Sequence, residues 1–369
     1  IYTLINITYI ENGGGNEMAL GFSGSNGGVG KDKMALGLSG SNGGVGKGKK
    51  FLESDINRPL EVSYFVNNIC NLICEHCYVG YENKEDELSL DEWKNVFDKL
   101  IDMGALTFGN VGKEPLLSDK TVPLLHYFSE KRKDNSKLRF GFVTNGILLK
   151  GSILEEIASI NPTYIDVSLD GTKEENDFIR GNGSYQKTIE NLKNISMNYP
   201  DLKENIFISF TLMNHNKGKI SDLAKEMNDL GINNLLISPY MKTPNSNGNL
   251  KVDEDEIVNI YKNIIENPLG LNVFLKSDFD AQKGLIEKLV NNKIIDVNNL
   301  LIDEYGIIFN EYNSVIVNYV HSSEILKRTL RISHDGYVGG CLEMFHKDYP
   351  NRVSGNLKDK PIEEIMKSN

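Results

Sequence analysis

The order of apolar and polar residues from residue 51 onward predicts strands that alternate with helices. Residues 60–66 alternate as a strand does, and residues 90–103 carry apolar side chains at helical spacing after Ser89, the predicted N-cap. Further β-like runs lie at 106–108, 138–143, 164–169, 206–212 and 234–238, with helical patterns at 151–159, 184–197 and 220–230. Six β/α units in sequence imply a parallel sheet with right-handed crossovers.

The predicted fold class is therefore α/β, a partial (β/α)6 TIM-like barrel with a C-terminal extension and a disordered Gly-rich N-terminal segment. In such a barrel the active site lies at the C-terminal ends of the strands. The predicted boundaries are a tandem repeat at 1–50, the barrel at 51–250, a helical connecting segment at 251–330 and an extension at 331–369.

Composition is that of an ordinary soluble protein and disfavours two kinds of partner. The chain has 369 residues, of which 40% are hydrophobic and 25% are charged, so it can bury a full-sized core. Its net charge of −11 argues against nucleic acid as the main partner, and no apolar run approaches the length that spans a bilayer. Sparse cysteines without a secretory signal predict a reducing cytoplasm.

The first fifty residues contain a near-perfect tandem duplication, in which MALGFSGSNGGVGKDK at 18–33 is followed by MALGLSGSNGGVGKGK at 34–49. Such a density of Gly, Ser and Asn cannot bury enough apolar surface to offset its ordering entropy, which predicts disorder. One interpretation of the segment is a flexible tail or a gene-boundary artefact, in which case Met18 or Met34 is the true start. The other is that the repeat is a tethered peptide substrate or the remnant of one. Gly/Ser-rich stretches favour the tail.

Three cysteines stand close together in the string CNLICEHCY: Cys70, Cys74 and Cys77. Their spacing is C-x3-C-x2-C, with His76 directly before the third cysteine and Tyr78 directly after it. Three thiolates on one short loop can hold three corners of a cubane iron–sulfur cluster and leave the fourth iron without a protein ligand. A substrate or cofactor can coordinate at that open position.

A structural zinc site is the main alternative for these cysteines. Such sites usually use four ligands in paired C-x2-C elements, and only Cys341 remains elsewhere as a distant fourth ligand. The spacing therefore favours the cluster.

The chain resembles the radical S-adenosylmethionine (radical SAM) superfamily in this spacing and in the order of the motifs that follow. GNVGKEPLL at 109–117 resembles the GGEP motif, whose backbone and acidic side chain grip the amino group of SAM. Gly112 and Glu114 match that motif, while Lys113 replaces its usual second glycine. FVTNGILL at 142–149 resembles the third-strand signature, with Thr144 and Asn145 at the catalytic end of the strand.

Later segments keep the order of the family. YIDVSLDG supplies Ser168 and Asp170 as candidates for the SAM ribose and its surroundings. FIRGNGSYQKTIENL supplies Arg180, which resembles an arginine that often approaches the SAM carboxylate, since a guanidinium fork pairs well with an anion. ISPY at 237–240 resembles the sixth strand. Polar residues expected at the end of the fifth strand are Ser209, Thr211 and Asn214.

The resemblance, over about residues 60–240, implies two cofactors: a 4Fe–4S cluster on the three cysteines and S-adenosyl-L-methionine at the fourth iron. It implies that Glu114 and Arg180 fix the methionine end, while His76 with Ser168 or Asp170 orients adenine and ribose. The remaining predicted cofactor contacts are Tyr78, Gly112, Thr144 and Asn145. The implied reaction is reductive cleavage of SAM to a 5′-deoxyadenosyl radical, which abstracts hydrogen from the substrate.

Residues 331–366 resemble the opening of a SPASM extension, in which a hairpin ending in a cysteine precedes G-N-L and an E-E-I helix. Full extensions carry more cysteines for auxiliary clusters, so this one is either truncated or degenerate. Three interpretations of Cys341 stay open: an auxiliary-cluster ligand whose partners are missing, a hydrogen-atom donor, or a buried small residue. His334 and Asp335 are assigned to the hairpin turn.

The resemblance therefore implies a radical SAM oxidoreductase that matures a ribosomal peptide by crosslinking, epimerisation or oxidation. The expected partners are a peptide or protein substrate and a low-potential electron donor such as a ferredoxin or flavodoxin, with no nucleic acid and no membrane. The alternatives are a small-molecule biosynthetic enzyme of the same family, a non-catalytic peptide-binding scaffold on the same fold, and a zinc-binding structural protein. The intact cysteines and Glu114 argue against the scaffold.

Overall fold

The computed structural model of the chain describes residues 61–79, 86–242, 248–277, 283–302, 308–319, 329–339 and 353–367. The repeat predicted to be disordered at 1–50 and the candidate residue Cys341 lie outside the described residues. Within these ranges, no helix is long and apolar enough to cross a membrane.

Each of the six predicted strands is present in the structure. They are β1 (Glu61–Tyr64), β2 (Thr107–Asn110), β3 (Arg139–Thr144), β4 (Tyr164–Ser168), β5 (Ile206–Leu212) and β6 (Asn234–Pro239). The six strands pair in chain order, and every pairing is parallel. The predicted α/β fold with a parallel barrel sheet is confirmed.

Helices connect these strands and cover the outer face of the sheet. They are α1 (Leu90–Asp102), α2 (Thr121–Asp134), α3 (Gly151–Ile160), α4 (Lys173–Arg180), α5 (Ser184–Asn198), α6 (Pro200–Glu204) and α7 (Ile220–Asp229). Ser89 is the N-cap of helix α1, as predicted. The Ser89 hydroxyl accepts the N–H of Glu92 at 3.3 Å, and the Glu92 carboxylate accepts the N–H of Ser89 at 2.7 Å. This reciprocal pair is a capping box.

Alternation along the strands divides their side chains between the helices and the interior of the barrel. In β4, Ile165 and Val167 belong to the main hydrophobic core under the helices, so Tyr164, Asp166 and Ser168 face the interior. Tyr164 is buried near the start of the strand, and its hydroxyl donates to the carbonyl of Phe108 at 3.2 Å. The ring needs a glycine beside it, because a Cβ at Gly141 would lie 2.7 Å from the Tyr164 ring. Tyr164 therefore fills the interior at the end opposite the cysteines.

The segment after β6 is mixed, whereas the sequence predicted a helical connection. It contains α8 (Glu254–Glu266) and α9 (Lys283–Asn291), but also β7 (Asn272–Leu275), β8 (Leu301–Ile302), β9 (Ile308–Tyr312) and β10 (Val315–Tyr319). Strand β7 pairs in parallel with β6, and β10 pairs in parallel with β7. These strands are two to five residues long, which is too short for an alternating pattern to identify them.

The C-terminal segment extends the same sheet on its other side. Its elements are β11 (Thr329–Ile332), β12 (Tyr337–Gly339), β13 (Val353–Asn356) and α10 (Ile362–Lys367). Strand β11 pairs in parallel with β1, and the strand order is β13-β12-β11-β1-β2-β3-β4-β5-β6-β7-β10-β9-β8. His334 and Asp335 lie in the turn between β11 and β12, as predicted. The segment therefore lies directly beside the strand that leads to the cysteines.

Candidate active site

The three cysteines lie on the loop that follows β1, at the C-terminal end of the barrel strands. All three are free thiols; Cys70 is exposed, whereas Cys74 and Cys77 are half-buried. The N–H of Cys77 donates to the carbonyl of Cys74 at 3.0 Å, which closes a tight turn between the second and third cysteines. Cys70 Sγ lies 3.9 Å from Asn71 Oδ1 and accepts a hydrogen bond from the Leu72 backbone, and Cys77 Sγ lies 3.8 Å from the Val79 carbonyl oxygen.

One side of the cysteine loop is attached to the loop after β2 through backbone groups. The N–H of Glu114 donates to the carbonyl of Ile69 at 3.1 Å, and Asn67 Nδ2 donates to the Glu114 carbonyl at 3.0 Å. The Asn67 amide oxygen also accepts the N–H of Ile69 at 3.1 Å. Sequence reasoning missed Asn67, although a buried amide between a strand and the first cysteine is a signal that could have identified it.

The Glu114 side chain is fully buried and already has donors on both oxygens. The Thr144 hydroxyl lies 2.8 and 3.0 Å from the two carboxylate oxygens, the Asn145 N–H donates at 2.9 Å and the Leu116 N–H donates at 3.1 Å. Burial raises the pKa of Glu114, although these donors oppose the shift. In this structure Glu114 joins the β2 loop to the end of β3. A role for it at the amino group of SAM stays a prediction.

The Gly112–Lys113 dipeptide occupies backbone conformations that favour glycine. Gly112 has φ of 118° and Lys113 has φ of 52°. A Cβ at Gly112 would lie 2.7 Å from the ring of Phe65. Lys113 therefore stands in the left-handed region at the one position where the chain departs from the resembled motif.

Asn145 connects the end of β3 to the cysteine loop. Its Nδ2 donates to Asn71 Oδ1 at 2.7 Å, and Asn71 lies between Cys70 and Cys74 in sequence. The Asn145 carbonyl accepts a hydrogen bond from the Thr188 hydroxyl at 2.7 Å. Thr144 and Asn145, which were predicted as cofactor contacts, thus hold the loop from the β3 side.

Three other predicted residues meet on the opposite side of the loop. Arg180 Nε donates to Asp170 Oδ2 at 2.6 Å, and Asp170 is fully buried. His76 Nε2 lies 3.4 Å from Asp170 Oδ2 and 3.4 Å from Arg180 Nη2. The neighbouring Glu75 N–H donates to the carbonyl of Ile179 at 3.0 Å, so the loop is also attached to the end of α4.

The charges of this group determine its protonation. Burial alone would raise the pKa of Asp170, but Arg180 and His76 hold it below its ordinary value, so the carboxylate is ionised at neutral pH. Burial lowers the pKa of His76 to about 4, against the opposing effect of Asp170, so its ring is neutral. His76 Nδ1 is buried without a hydrogen-bond partner. It is the ring atom that remains for a ligand.

The end of β5 supports Asp170 through Thr211 and a residue that was not predicted. The Thr211 N–H donates to Asp170 Oδ1 at 2.8 Å, and Asn216 Nδ2 donates to the Asp170 carbonyl at 3.0 Å. Asn214, which the sequence suggested here, is exposed and donates instead to the Lys251 carbonyl at 2.6 Å. Spacing alone could not choose between two asparagines in the string MNHN.

The remaining predicted contacts lie outside these two networks. Ser168 is buried at the end of β4 and is in register with Ser209 on β5. Tyr78 is half-buried and packs against a small apolar cluster beneath the loop, formed by Phe65, Val79, Val111 and Val143.

The chemistry of the cysteine loop fits a cluster better than a single ion. Among the described residues, no three His, Cys, Asp or Glu side chains are placed to hold one metal ion. A cubane cluster binds each of three thiolates to a different iron, which the three cysteines of this loop can supply. Burial raises the pKa of Cys74 to about 12, and nearby Arg180 opposes that shift by favouring the thiolate that a cluster requires.

Comparisons with known proteins agree with this arrangement. The Radical SAM superfamily model matches residues 64–227, which contain the cysteine loop and both hydrogen-bonded networks. The chain is 28% identical over 176 residues to mycofactocin maturase MftC of Mycobacterium ulcerans. It is 29% identical over 179 residues to the antilisterial bacteriocin subtilosin biosynthesis protein AlbA of Bacillus subtilis. It is 33% identical over 128 residues to Fe-coproporphyrin III synthase of Methanosarcina barkeri.

These alignments cover 47%, 47% and 34% of this chain and 45%, 38% and 31% of the three relatives, so the chain matches under half of each. Among solved structures, Streptococcus suis SuiB has the same fold, with a TM-score of 0.63 and 18% identity over 84% of this chain and 66% of SuiB. The cofactors of such a domain are a 4Fe–4S cluster and SAM. Residues 64–227 of this chain therefore form a radical SAM domain.

Proposed function

We propose that this chain is an enzyme that uses a 4Fe–4S cluster and SAM to start a radical reaction on a peptide or protein substrate in a reducing cytoplasm. The observation that carries the proposal is the position of the cysteine loop between two hydrogen-bonded networks. Glu114, Thr144 and Asn145 hold it on one side, and Asp170, Arg180 and His76 hold it on the other. When bound, the cluster and SAM supply a 5′-deoxyadenosyl radical that removes hydrogen from the substrate.

The residues of the chain contribute position and charge to this chemistry. Cys70, Cys74 and Cys77 would hold the cluster, and Asn71 fixes the loop between the first two through its bond to Asn145. Apart from the exposed Asn71, the side chains of both networks are buried or half-buried, and they hold the loop through contacts within the chain. The neutral ring of His76 presents Nδ1 to a ligand without adding a positive charge next to Arg180.

The preference for a peptide substrate rests on the similar proteins. AlbA takes part in the biosynthesis of a bacteriocin, and SuiB has been solved bound to its precursor peptide SuiA. The extension beyond residue 331 supports the same branch, since we interpret it as the start of a SPASM-like segment. A ferredoxin or flavodoxin would supply the electron.

Similarity to Fe-coproporphyrin III synthase favours a second candidate, a small-molecule biosynthetic enzyme of the same family. The two candidates share the cofactor site and differ in what enters the barrel. The two candidate functions are therefore distinguished by whether a peptide or a small molecule is modified when SAM is cleaved.

The test is anaerobic reconstitution of the full chain with iron and sulfide, followed by dithionite and SAM. We expect wild type to bind iron and sulfide and to form 5′-deoxyadenosine. Cys74→Ala should lose both the cluster and the product. Cys341→Ala tests the remaining thiol, and an unchanged iron content in this variant would assign the cluster to the trio alone.

A Cys74→Ala protein that keeps its cluster and its product would contradict the assignment of the loop. Wild type with a full cluster but no 5′-deoxyadenosine would favour the non-catalytic scaffold. Candidate peptides are then screened by mass change, and product formation that responds only to small molecules would favour the second candidate.

A further inference from the structure

A second polar group lies in the barrel interior, on strands away from the cysteine loop. Asn318 on β10 is fully buried, and both its Nδ2 and its Oδ1 have no hydrogen-bond partner. Val315 and Val317 belong to the core under the helices, so Asn318 shares the interior face with Ile316. Because β10 runs parallel to β7 and the barrel strands, Asn318 lies near the end at which the cysteines leave β1.

The neighbouring hairpin strand shows how a buried asparagine is normally satisfied in this fold. Asn310 on β9 is also buried, and its Oδ1 accepts the Asp296 N–H at 2.9 Å. Its Nδ2 donates to the carbonyls of Asp296 and Asn299, each at 3.1 Å. An amide left without partners is costly in a folded protein, so Asn318 needs another explanation.

Asn318 lies opposite Phe309 on β9, and other buried polar side chains face the same barrel interior. Val317 pairs with Leu275, so Asn318 is level with Lys276, which follows β7 and is buried. Asp166 on β4 also faces the interior, and the positive charge of Lys276 acts on it. Asp166 Oδ1 and the Ser209 hydroxyl are buried without partners as well. The unpaired amide of Asn318, with one donor group and one acceptor, suits a neutral ligand that both donates and accepts hydrogen bonds.

We propose that Asn318 binds an amide group of the substrate. Its Nδ2 donates to the carbonyl of that amide, and its Oδ1 accepts the N–H. A peptide bond or a side-chain carboxamide has this chemistry. The proposal rests on the function proposed above, because it assumes that the substrate enters the barrel interior.

The test compares two asparagines of the same hairpin. Asn318→Leu removes both polar atoms with little change in size, and Asn310→Leu does the same where every atom has a partner. We expect the thermal midpoint to rise by about 2 °C for Asn318→Leu and to fall by about that much for Asn310→Leu. A lower midpoint for Asn318→Leu would show that the amide has a structural partner, such as an ordered water, and would overturn the proposal.

Substrate binding is measured on the reconstituted, SAM-loaded full chain with randomised decapeptide libraries as the probe. One library lacks Asn and Gln, so its internal amides are peptide bonds, and a second library contains both residues. Retained peptides are counted by mass spectrometry. We expect wild type and Asn310→Leu to retain peptides, and Asn318→Leu to retain about tenfold less, as expected for loss of paired hydrogen bonds.

Retention from both libraries would assign the amide to a peptide bond, and retention from the second alone would assign it to a side-chain carboxamide. Equal retention by wild type and Asn318→Leu, or no retention by wild type, would overturn the proposal. Formation of 5′-deoxyadenosine by the same wild-type sample distinguishes this failure from failure of the proposed function. Product without peptide retention would contradict only the amide site.

Discussion

The two carboxylates beside the cysteine loop and three buried polar side chains in the barrel interior differ in their hydrogen bonding, although His76 Nδ1 and Asn110 Oδ1 on the side of β1 to β4 also have no partner. On the side of β1 to β4, Glu114 and Asp170 have donors on both carboxylate oxygens. On the side of β5 to β10, the Ser209 hydroxyl and the side-chain amide of Asn318 are buried and have no hydrogen-bond partner. Asp166 projects from β4 into the same interior, and its Oδ1 is also without one.

This difference in hydrogen bonding distinguishes side chains whose partners all lie within the chain from side chains whose polar atoms are left for a ligand. A saturated network holds its side chains in one arrangement, which suits cofactors that are the same in every turnover. Orphaned donors and acceptors destabilise the empty protein and gain most when a ligand pairs with them. We therefore expect changes on the first side to reduce stability, and changes on the second side to alter binding while sparing or raising stability.

The largest expected effect on the saturated side comes from Asp170→Asn. The substitution leaves Arg180 buried beside a neutral amide, so the free energy of unfolding should fall by about 4 kcal/mol. Urea unfolding of the reduced protein at pH 7 measures it. The exposed pair of Lys225 and Asp229, 3.1 Å apart, supplies the control Asp229→Asn, which should cost at most about 0.5 kcal/mol. Equal losses of unfolding free energy in Asp170→Asn and Asp229→Asn would show that the buried network contributes no more to stability than an exposed ion pair.

Glu114→Gln tests the other network on the same side. The new amide nitrogen meets the donors of Thr144, Asn145 or Leu116, so we expect a loss of about 3 kcal/mol in the free energy of unfolding and weaker SAM binding. Denaturant titration and equilibrium dialysis with SAM measure the two quantities. Glu130→Gln, at an exposed carboxylate, is the matched control and should change neither. Unchanged SAM binding in Glu114→Gln would leave Glu114 with a purely structural role.

The pH dependence of stability tests the unsaturated side through Asp166. Burial raises the pKa of Asp166 to about 7, and Lys276 opposes the shift, so between pH 4 and pH 7 the folded protein binds a proton that the unfolded chain has lost. Stability is then highest below the ordinary carboxyl pKa and falls as pH rises towards 7. The wild type should lose about 3 kcal/mol relative to Asp166→Asn over this interval. Urea unfolding at several pH values measures the free energy of unfolding of both proteins. If the difference between wild type and Asp166→Asn does not change with pH, the pKa of this buried carboxyl group is not raised.

The smallest expected effect concerns backbone strain on the saturated side. Lys113 has φ of 52°, so Lys113→Gly should raise the free energy of unfolding by up to about 1 kcal/mol. Asn161, which has φ of 50° at the end of α3, is the matched control, because asparagine tolerates this conformation better than lysine. Thermal unfolding of Lys113→Gly and Asn161→Gly compares the two. A larger gain for Asn161→Gly would mean that Lys113 is held by contacts that offset its strain.

Much of the fold followed from local patterns because its first six strands are joined by amphipathic helices with recognisable periods. The strands from β1 to β6 and the N-cap at Ser89 agree with the predictions. Strands β7 to β10 were not predicted, because a run of two to five residues is too short to show the alternation of a strand. Their identity depends on pairing with β6, a contact between residues far apart in sequence.

The candidate site divides in the same way. The spacing of the cysteines and the motifs that contain Glu114 and Asp170 indicated the chemistry, since each motif is a short stretch of sequence. The sequence did not indicate that Glu114 is saturated by Thr144 and Asn145, or that Asn216 and not Asn214 supports Asp170. Those facts depend on which loops meet at the C-terminal edge of the sheet.

By itself, the sequence determined the alternation of strands and helices, the cysteine spacing and the class of cofactor chemistry, because each is encoded in the order of neighbouring residues. Only the tertiary structure decided which polar groups are satisfied, because a hydrogen bond needs two groups brought together by folding. Asn310 and Asn318 are the same residue type eight positions apart, yet one has partners for its whole amide and the other has none. The two asparagines differ because they are buried on opposite faces of one hairpin, and the residue type alone does not show which face a side chain occupies.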